Sequence, residues 1–251
     1  MCKFYRYDKE LKKSKETTLQ TAFPFLMNEK CCVSFVGAGG KSSLIARIAD
    51  WGTLHRKKVL VTTTTHIFRP SSEKLAQNEQ ELEQIWHTGN WAVIGTVDPV
   101  QPQKLQSPKP YWLQRAAELA DLILIEADGS KRLPCKVPAS HEPVILPQTD
   151  VVVAVLGLSA LNRPLKDCCF RLEKATELLS VTESHPLTRE HMATIFASGQ
   201  GLRKATNNSE YVVVLNQCDN EDRKNAGEQI SDILCGLDST INHIILTKLH
   251  P

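Results

Sequence analysis

Phe35-Val36-Gly37-Ala38-Gly39-Gly40-Lys41-Ser42-Ser43 decides the reading of this 251-residue chain. It follows an apolar, β-prone run from Cys31 to Val36 and opens a helix-like run from Ser42 to Trp51. A strand, a glycine turn ending in Lys-Ser and a helix form the context of a phosphate-binding loop. Glycines let backbone N–H groups face a phosphate without Cβ obstruction, and the helix N-terminus adds partial positive charge. Candidate nucleotide contacts are therefore Gly37, Ala38, Gly39, Gly40, Lys41, Ser42 and Ser43. Lys41 is placed to reach the outer phosphates, and the Ser42 hydroxyl to join a Mg²⁺ shell. The long form G-x-x-x-x-G-K-[ST] requires glycine where Phe35 stands, so the match is to a shorter G-x-x-G-K-S form. A dinucleotide fingerprint, G-x-G-x-x-G, fits less well. Ser42 replaces its third glycine, and the second strand ends in Thr62-Thr63-Thr64-Thr65 instead of an acid that would hold ribose hydroxyls.

Outward from this loop, strand-like runs recur at 31–36, 59–65, 91–96, 122–127, 151–156, 211–216 and 243–248. Helical patterns lie between them at 42–51, 72–87, 110–119, 189–197 and 222–236. Continuous Val/Ile/Leu runs predict strands covered on both faces. The alternation predicts an α/β fold: a mostly parallel sheet between two helical layers, with the three-layer plan of P-loop NTPase-like proteins. Such sheets bind ligands beyond the carboxyl ends of their strands. Residues 1–30 read as an N-terminal segment and 31–251 as one domain.

Asp121-Leu122-Ile123-Leu124-Ile125-Glu126-Ala127-Asp128-Gly129 is an apolar strand ending in acids, the form of a Walker B strand. Glu126 and Asp128 share a face by the period of two. One could orient Mg²⁺ and the other polarise a nucleophile, so the catalytic candidates are Lys41, Glu126 and Asp128, with Ser42 and Asp128 at the metal. Asp-Gly is also a strong turn signal, which leaves a purely structural strand end as the alternative. Lys131, Arg132 and Lys136 follow in a proline-punctuated loop from Gly129 to Asp150 and are candidates for an anionic substrate. Thr64, Thr65 and His66, at the tip of the Val59 strand, join that set. Tyr211-Val212-Val213-Val214-Leu215-Asn216-Gln217-Cys218-Asp219 ends in Asn-Gln-x-Asp, similar to the guanine-reading N-K-x-D element of GTPases. Asn216 and Asp219 are thus base-side candidates. Gln217 in the lysine position weakens a guanine preference and keeps ATP open beside GTP.

Composition narrows the classes. Net charge is +2, hydrophobic residues are 41% and charged residues 23%, which argues for neither nucleic acid nor membrane as partner. The charged N-terminal segment has no apolar core of a signal peptide. Eight cysteines occur without any C-x-x-C, and reduced, buried thiols are the expectation.

Several motifs together resemble one family, the YqeC-like selenium-dependent molybdenum hydroxylase accessory proteins. The carriers are the Val36–Ser42 loop, Val61-Thr62-Thr63-Thr64-Thr65-His66-Ile67, and Glu126-Ala127-Asp128-Gly129-Ser130-Lys131 with Lys136, Pro138, His141, Glu142 and Pro143. Val155 to Leu165, Gly199-Gln200-Gly201-Leu202 and the Leu215-Asn216 strand end extend the likeness from about Cys31 to Asp219. Phe170-Arg171 stands where His-Arg is expected, and Gln217 where Lys is usual. The resemblance implies a cytoplasmic bacterial protein assisting maturation of a molybdenum hydroxylase, together with that enzyme or its other maturation factors. The reading on function is a nucleoside triphosphate-binding protein, a possible Mg²⁺-dependent NTPase using ATP or GTP. The alternative is a non-hydrolytic chaperone holding the pyrophosphate of a molybdopterin cofactor in the same loop.

Overall fold

The apolar runs become the middle of one large sheet. The structure, a computed structural model, describes residues 2–206 and 209–249. In chain order its strands are β1 (Lys3–Asp8), β2 (Lys13–Thr17), β3 (Cys31–Gly37), β4 (Val59–Thr63), β5 (His66–Phe68), β6 (Ala92–Val93) and β7 (Thr96–Val97). They continue as β8 (Lys104–Gln106), β9 (Leu122–Glu126), β10 (Cys135–Lys136), β11 (Val151–Gly157), β12 (Cys169–Phe170), β13 (Glu210–Asn216) and β14 (Ile244–Lys248). The helices are α1 (Leu19–Ala22), α2 (Lys41–Leu54), α3 (Glu79–His87), α4 (Pro110–Leu119), α5 (Leu165–Cys168), α6 (Leu172–Leu179), α7 (Arg189–Ala197) and α8 (Glu221–Leu237).

Nine strands pair in the order β2-β1-β14-β13-β11-β3-β9-β4-β6. From β14 to β6 every pairing is parallel, while β1 joins β14, and β2 joins β1, antiparallel. The N-terminal segment thus supplies the edge strand β2 and its neighbour β1 to the main sheet. Register aligns the carboxyl ends: Phe35 and Thr63 both lie opposite Glu126, Gly37 opposite Val155, and Gly157 opposite Asn216. The glycine loop therefore emerges between the tips of β9 and β11.

Side-chain alternation sorts the core into layers. Leu122 and Leu124 of β9 face α2, whose Leu44, Ile45, Ile48 and Ala49 are buried beside Val33 and Phe35. Ile123 and Ile125 face the other way, with Leu82 and Ile85 of α3 and Leu113 of α4. Farther along that same face, Val36, Val152 and Val213 pack with Met192 and Phe196 of α7 and Ile230 and Leu234 of α8. Each such buried aliphatic side chain contributes roughly 1.5–3 kcal/mol. This is the expected α/β arrangement, a mostly parallel sheet between helices.

Some boundaries shift for local reasons. The helix expected over 72–87 begins at Glu79, where Asn78 accepts from the Glu81 N–H at 3.0 Å; Ser72–Lys74 is only a short 3₁₀ turn. The strand expected over 91–96 divides into β6 and β7 around Gly95, a position pressed against Leu105. β7 and β5 flank β8 in a small antiparallel sheet that no sequence pattern announced. Among the described residues, no helix is long and apolar enough to cross a membrane.

Candidate functional site

The glycine turn is forced by close approach. Gly39 has φ 75° and Gly40 φ 121°. A Cβ on Gly39 would run into the Gly157 backbone, and one on Gly40 into the Asn216 amide. Asn216 donates from Nδ2 to the Gly39 carbonyl at 2.7 Å and accepts from the Thr247 hydroxyl at 2.8 Å, so the end of β13 braces the loop. The first amides of the turn are satisfied: Gly37 N–H by Asp128, Ala38 N–H by the Val155 carbonyl at 2.8 Å, Gly39 N–H by the Leu133 carbonyl at 3.2 Å. The next four, those of Gly40, Lys41, Ser42 and Ser43, have no acceptor among the described residues. They are the free donors at the N-terminus of a 14-residue helix.

Beneath them runs a buried chain of alternating charge. Lys41 Nζ lies 2.9 Å from Asp128 and 4.0 Å from Glu126, and donates to the Gly37 carbonyl. Asp128 is fully buried, and it also accepts from Lys136 at 3.1 Å and from the Gly37 N–H at 3.0 Å. Lys136, equally buried, reaches Glu142 at 3.0 Å and donates to the Gly129 carbonyl at 2.6 Å. Arg171 closes the chain on Glu142 at 3.4 Å. Burial alone would raise the Glu142 carboxyl, but Lys136, the Ala139 N–H and Arg171 outweigh it and hold it below the ordinary range. Glu126 goes the other way: burial pushes it up, against the pull of Lys41 and of the Ser42 hydroxyl, which donates to it at 2.8 Å.

The loop forms one end of a cleft of about 1180 Å³. Residues 39–43, Thr64, Thr65, His66, Glu126, Lys131 and Arg132 line it, so most of the residues singled out from sequence converge. Thr64 donates to the Val144 carbonyl at 2.8 Å, and His66 Nε2 sits 3.1 Å from Asp98. Other expected site residues stand elsewhere. Lys136 and Asp128 do not line the cleft; they neutralise each other below it. Asp219 lies in a neighbouring cavity of about 360 Å³, paired with Arg223 at 2.6 Å. Gln217 lines both spaces, in a left-handed conformation (φ 62°), and accepts from the Ser159 hydroxyl. The base-side candidates are therefore contiguous with the loop. Sequence reasoning did not single out Phe68 or Lys104 of the cleft, and marked Phe170 only as a departure from the family pattern. They lie on strands of two or three residues, too short for a periodic signal.

The model of a family described as YqeC protein matches residues 33–173, more than half of the chain. The chain belongs to the YqeC family. It is 30% identical over 184 residues to the uncharacterized protein YqeC of Escherichia coli (strain K12), an alignment covering 68% of this chain and 70% of that one. The YqeC match contains the glycine loop, Glu126, Asp128 and the buried charge chain to Arg171, and stops short of Asn216 and Asp219. Among the described residues, no group of three or more His, Cys, Asp or Glu could hold a metal by itself. The donors at hand are the Ser42 hydroxyl and the Glu126 carboxylate, hard oxygens that suit Mg²⁺ when substrate phosphates complete the shell.

Proposed function

We propose that this YqeC-family protein binds a Mg²⁺–nucleoside triphosphate in the Gly37–Ser43 loop and uses it, through slow hydrolysis or transfer, in maturing a selenium-dependent molybdenum hydroxylase. The run of four unpaired N–H groups from Gly40 to Ser43 at the end of the cleft carries the binding half of this reading. The maturation half rests on the family resemblance. Lys41 would exchange the Gly37 carbonyl for a phosphate oxygen. Ser42 and Glu126 would hold Mg²⁺; Glu126 takes the metal role first expected of Asp128, whose oxygens are already shared by Lys41, Lys136 and the Gly37 N–H. Asp128 would then act as a positioning residue for Lys41. ATP and GTP both fit this reading, with Asn216 bracing the loop and Asp219 beside the space for a base.

Calorimetric titration of ATP, GTP and molybdopterin cytosine dinucleotide, each with and without Mg²⁺, tests it alongside phosphate release. Mg²⁺-dependent triphosphate binding with turnover supports the NTPase. Dinucleotide binding with no turnover of any triphosphate supports the chaperone, which needs the cradle and not Glu126. No binding of either class refutes both.

A further inference from the structure

The nucleotide reading leaves unused the outer half of the cleft, the part lined by the small sheet and by the segment after β9. One wall is the small sheet, which brings Phe68 of β5 and Lys104 of β8; the other is the segment after β9, which brings Lys131 and Arg132. Lys136 and Arg171 have Glu142 as partner. By contrast, Lys104, Lys131 and Arg132 have no carboxylate within 4.0 Å among the described residues. Unpaired cations facing one space raise its potential for anions.

These side chains are also aimed. The Arg132 guanidinium lies 4.7 Å from the centre of the Phe68 ring, with Lys104 Nζ 5.9 Å from that same ring. Lys131 Nζ lies 5.3 Å from the Phe170 ring. Aromatic faces attract cations and fix where they sit. The backbone is committed as well: Lys131 (φ 48°) and Arg132 (φ 62°) are consecutive non-glycine residues in the left-handed region. Such strain persists only where the surroundings impose it, and it gathers at ligand-binding positions. The residues that follow are held by the phosphate loop and by the end of β11: Gly39 donates to the Leu133 carbonyl at 3.2 Å and Gly157 to the Pro134 carbonyl at 2.8 Å.

We propose that this outer half is a second binding site, for a small molecule carrying a phosphate or pyrophosphate group, presented to the outer-phosphate end of the loop. Three unpaired cations match the charge of such a group, and a guanidinium fork matches its oxygen spacing. The proposal deepens the nucleotide reading, on which it rests for the identity of the inner occupant: the cleft then holds two ligands, a triphosphate and an anionic co-substrate.

The test is calorimetric titration of inorganic pyrophosphate, and separately citrate, into the full chain, into Lys41→Ala, and into Lys131→Asn/Arg132→Asn. Asn tolerates the left-handed region, so this pair removes charge with little backbone penalty. The wild type should bind two equivalents of pyrophosphate. Lys131→Asn/Arg132→Asn should keep one and weaken the other at least about tenfold, the scale of one lost charged hydrogen bond. The charge-keeping Lys131→Arg/Arg132→Lys variant should retain both, which separates charge from misfolding. Unchanged stoichiometry and affinity in the Asn pair, or no pyrophosphate binding by the wild type, overturns the proposal. Citrate binding at the outer site as tightly as pyrophosphate overturns the phosphate class. A failure of the inner site registers separately, as pyrophosphate binding that Lys41→Ala leaves unaltered.

Discussion

Replacing Lys136 by Met should be among the most damaging single changes in this protein, although it touches no cleft surface. Lys136 is fully buried and holds two carboxylates, Asp128 at 3.1 Å and Glu142 at 3.0 Å. Methionine keeps most of the volume and removes the ammonium. Asp128 retains Lys41 and the Gly37 N–H, and Glu142 retains Arg171 and the Ala139 N–H at 3.1 Å. Each nonetheless loses its shared counter-charge in a water-poor setting. Removing one partner of a buried ion pair costs about 3–5 kcal/mol. For a chain of this size each kcal/mol moves Tm by about 2–4 °C, so a fall of about 6–20 °C is expected. Urea unfolding followed by circular dichroism measures it, and Lys136→Met/Glu142→Gln completes a double-mutant cycle. The double variant should recover part of the loss, because the uncompensated carboxylate is gone. The pH dependence has a definite sign. Glu142 is held below its ordinary value of 4.5, so its share of stability is present above that pH and is lost as pH falls through the lowered value. Lys136→Met should flatten that acid limb. A loss below about 1 kcal/mol, with an unchanged acid limb, would refute the reasoning, since that is the scale of an exposed pair.

Glu126→Gln should abolish Mg²⁺-dependent turnover while changing triphosphate affinity without metal only a few-fold, read by phosphate release and calorimetry; equal turnover in the variant removes Glu126 from the metal. Because burial raises the Glu126 carboxyl, its stabilising share is lost as pH rises above 4.5, and Glu126→Gln should make melting temperature less dependent on pH over that rise; an unaltered profile counts against the assignment. Asp219→Ala should shrink any preference for GTP over ATP, and Gln217→Lys should raise GTP affinity; unchanged affinity ratios in both would make this strand end structural. Gly39→Ala should lose triphosphate binding and lower Tm, since its Cβ would meet the Gly157 and Pro134 backbones, and a variant that melts and binds like the wild type would mean the loop yields freely to the added methyl, against this account.

The parts of the fold that sequence reveals are those whose cause is local. Val151 to Leu156 is apolar without interruption because both its faces are covered, and the strand lies mid-sheet. Gly37 to Ser42 announces its turn because Gly37, Gly39 and Gly40 combine positive φ with no room for a Cβ. The failures involve partners distant in sequence. Lys131 and Lys136 look alike in a basic loop, yet one is exposed in the cleft and the other is sealed between Asp128 and Glu142. Only the pairing of β10 with β12, which carries Lys136 but not Lys131 inward, distinguishes them. Glu126 and Asp128 both lie within 4.0 Å of Lys41, but depth separates their roles: Glu126 reaches Ser42 at the cleft, and Asp128 is enclosed by two lysines and a backbone amide. The small sheet of β5, β8 and β7 was invisible because its strands are two or three residues long and gain their stability from one another.

The central claim is that the amides from Gly40 to Ser43, with Lys41, cradle a triphosphate. Titrating a fluorescent ATP or GTP analogue with Mg²⁺ into the wild type and into Lys41→Ala tests it directly, with circular dichroism verifying that the variant is folded. Saturable binding by the wild type, weakened at least about tenfold in Lys41→Ala, is the predicted result. Absence of binding by the wild type, or equal affinity in a folded Lys41→Ala protein, would contradict it.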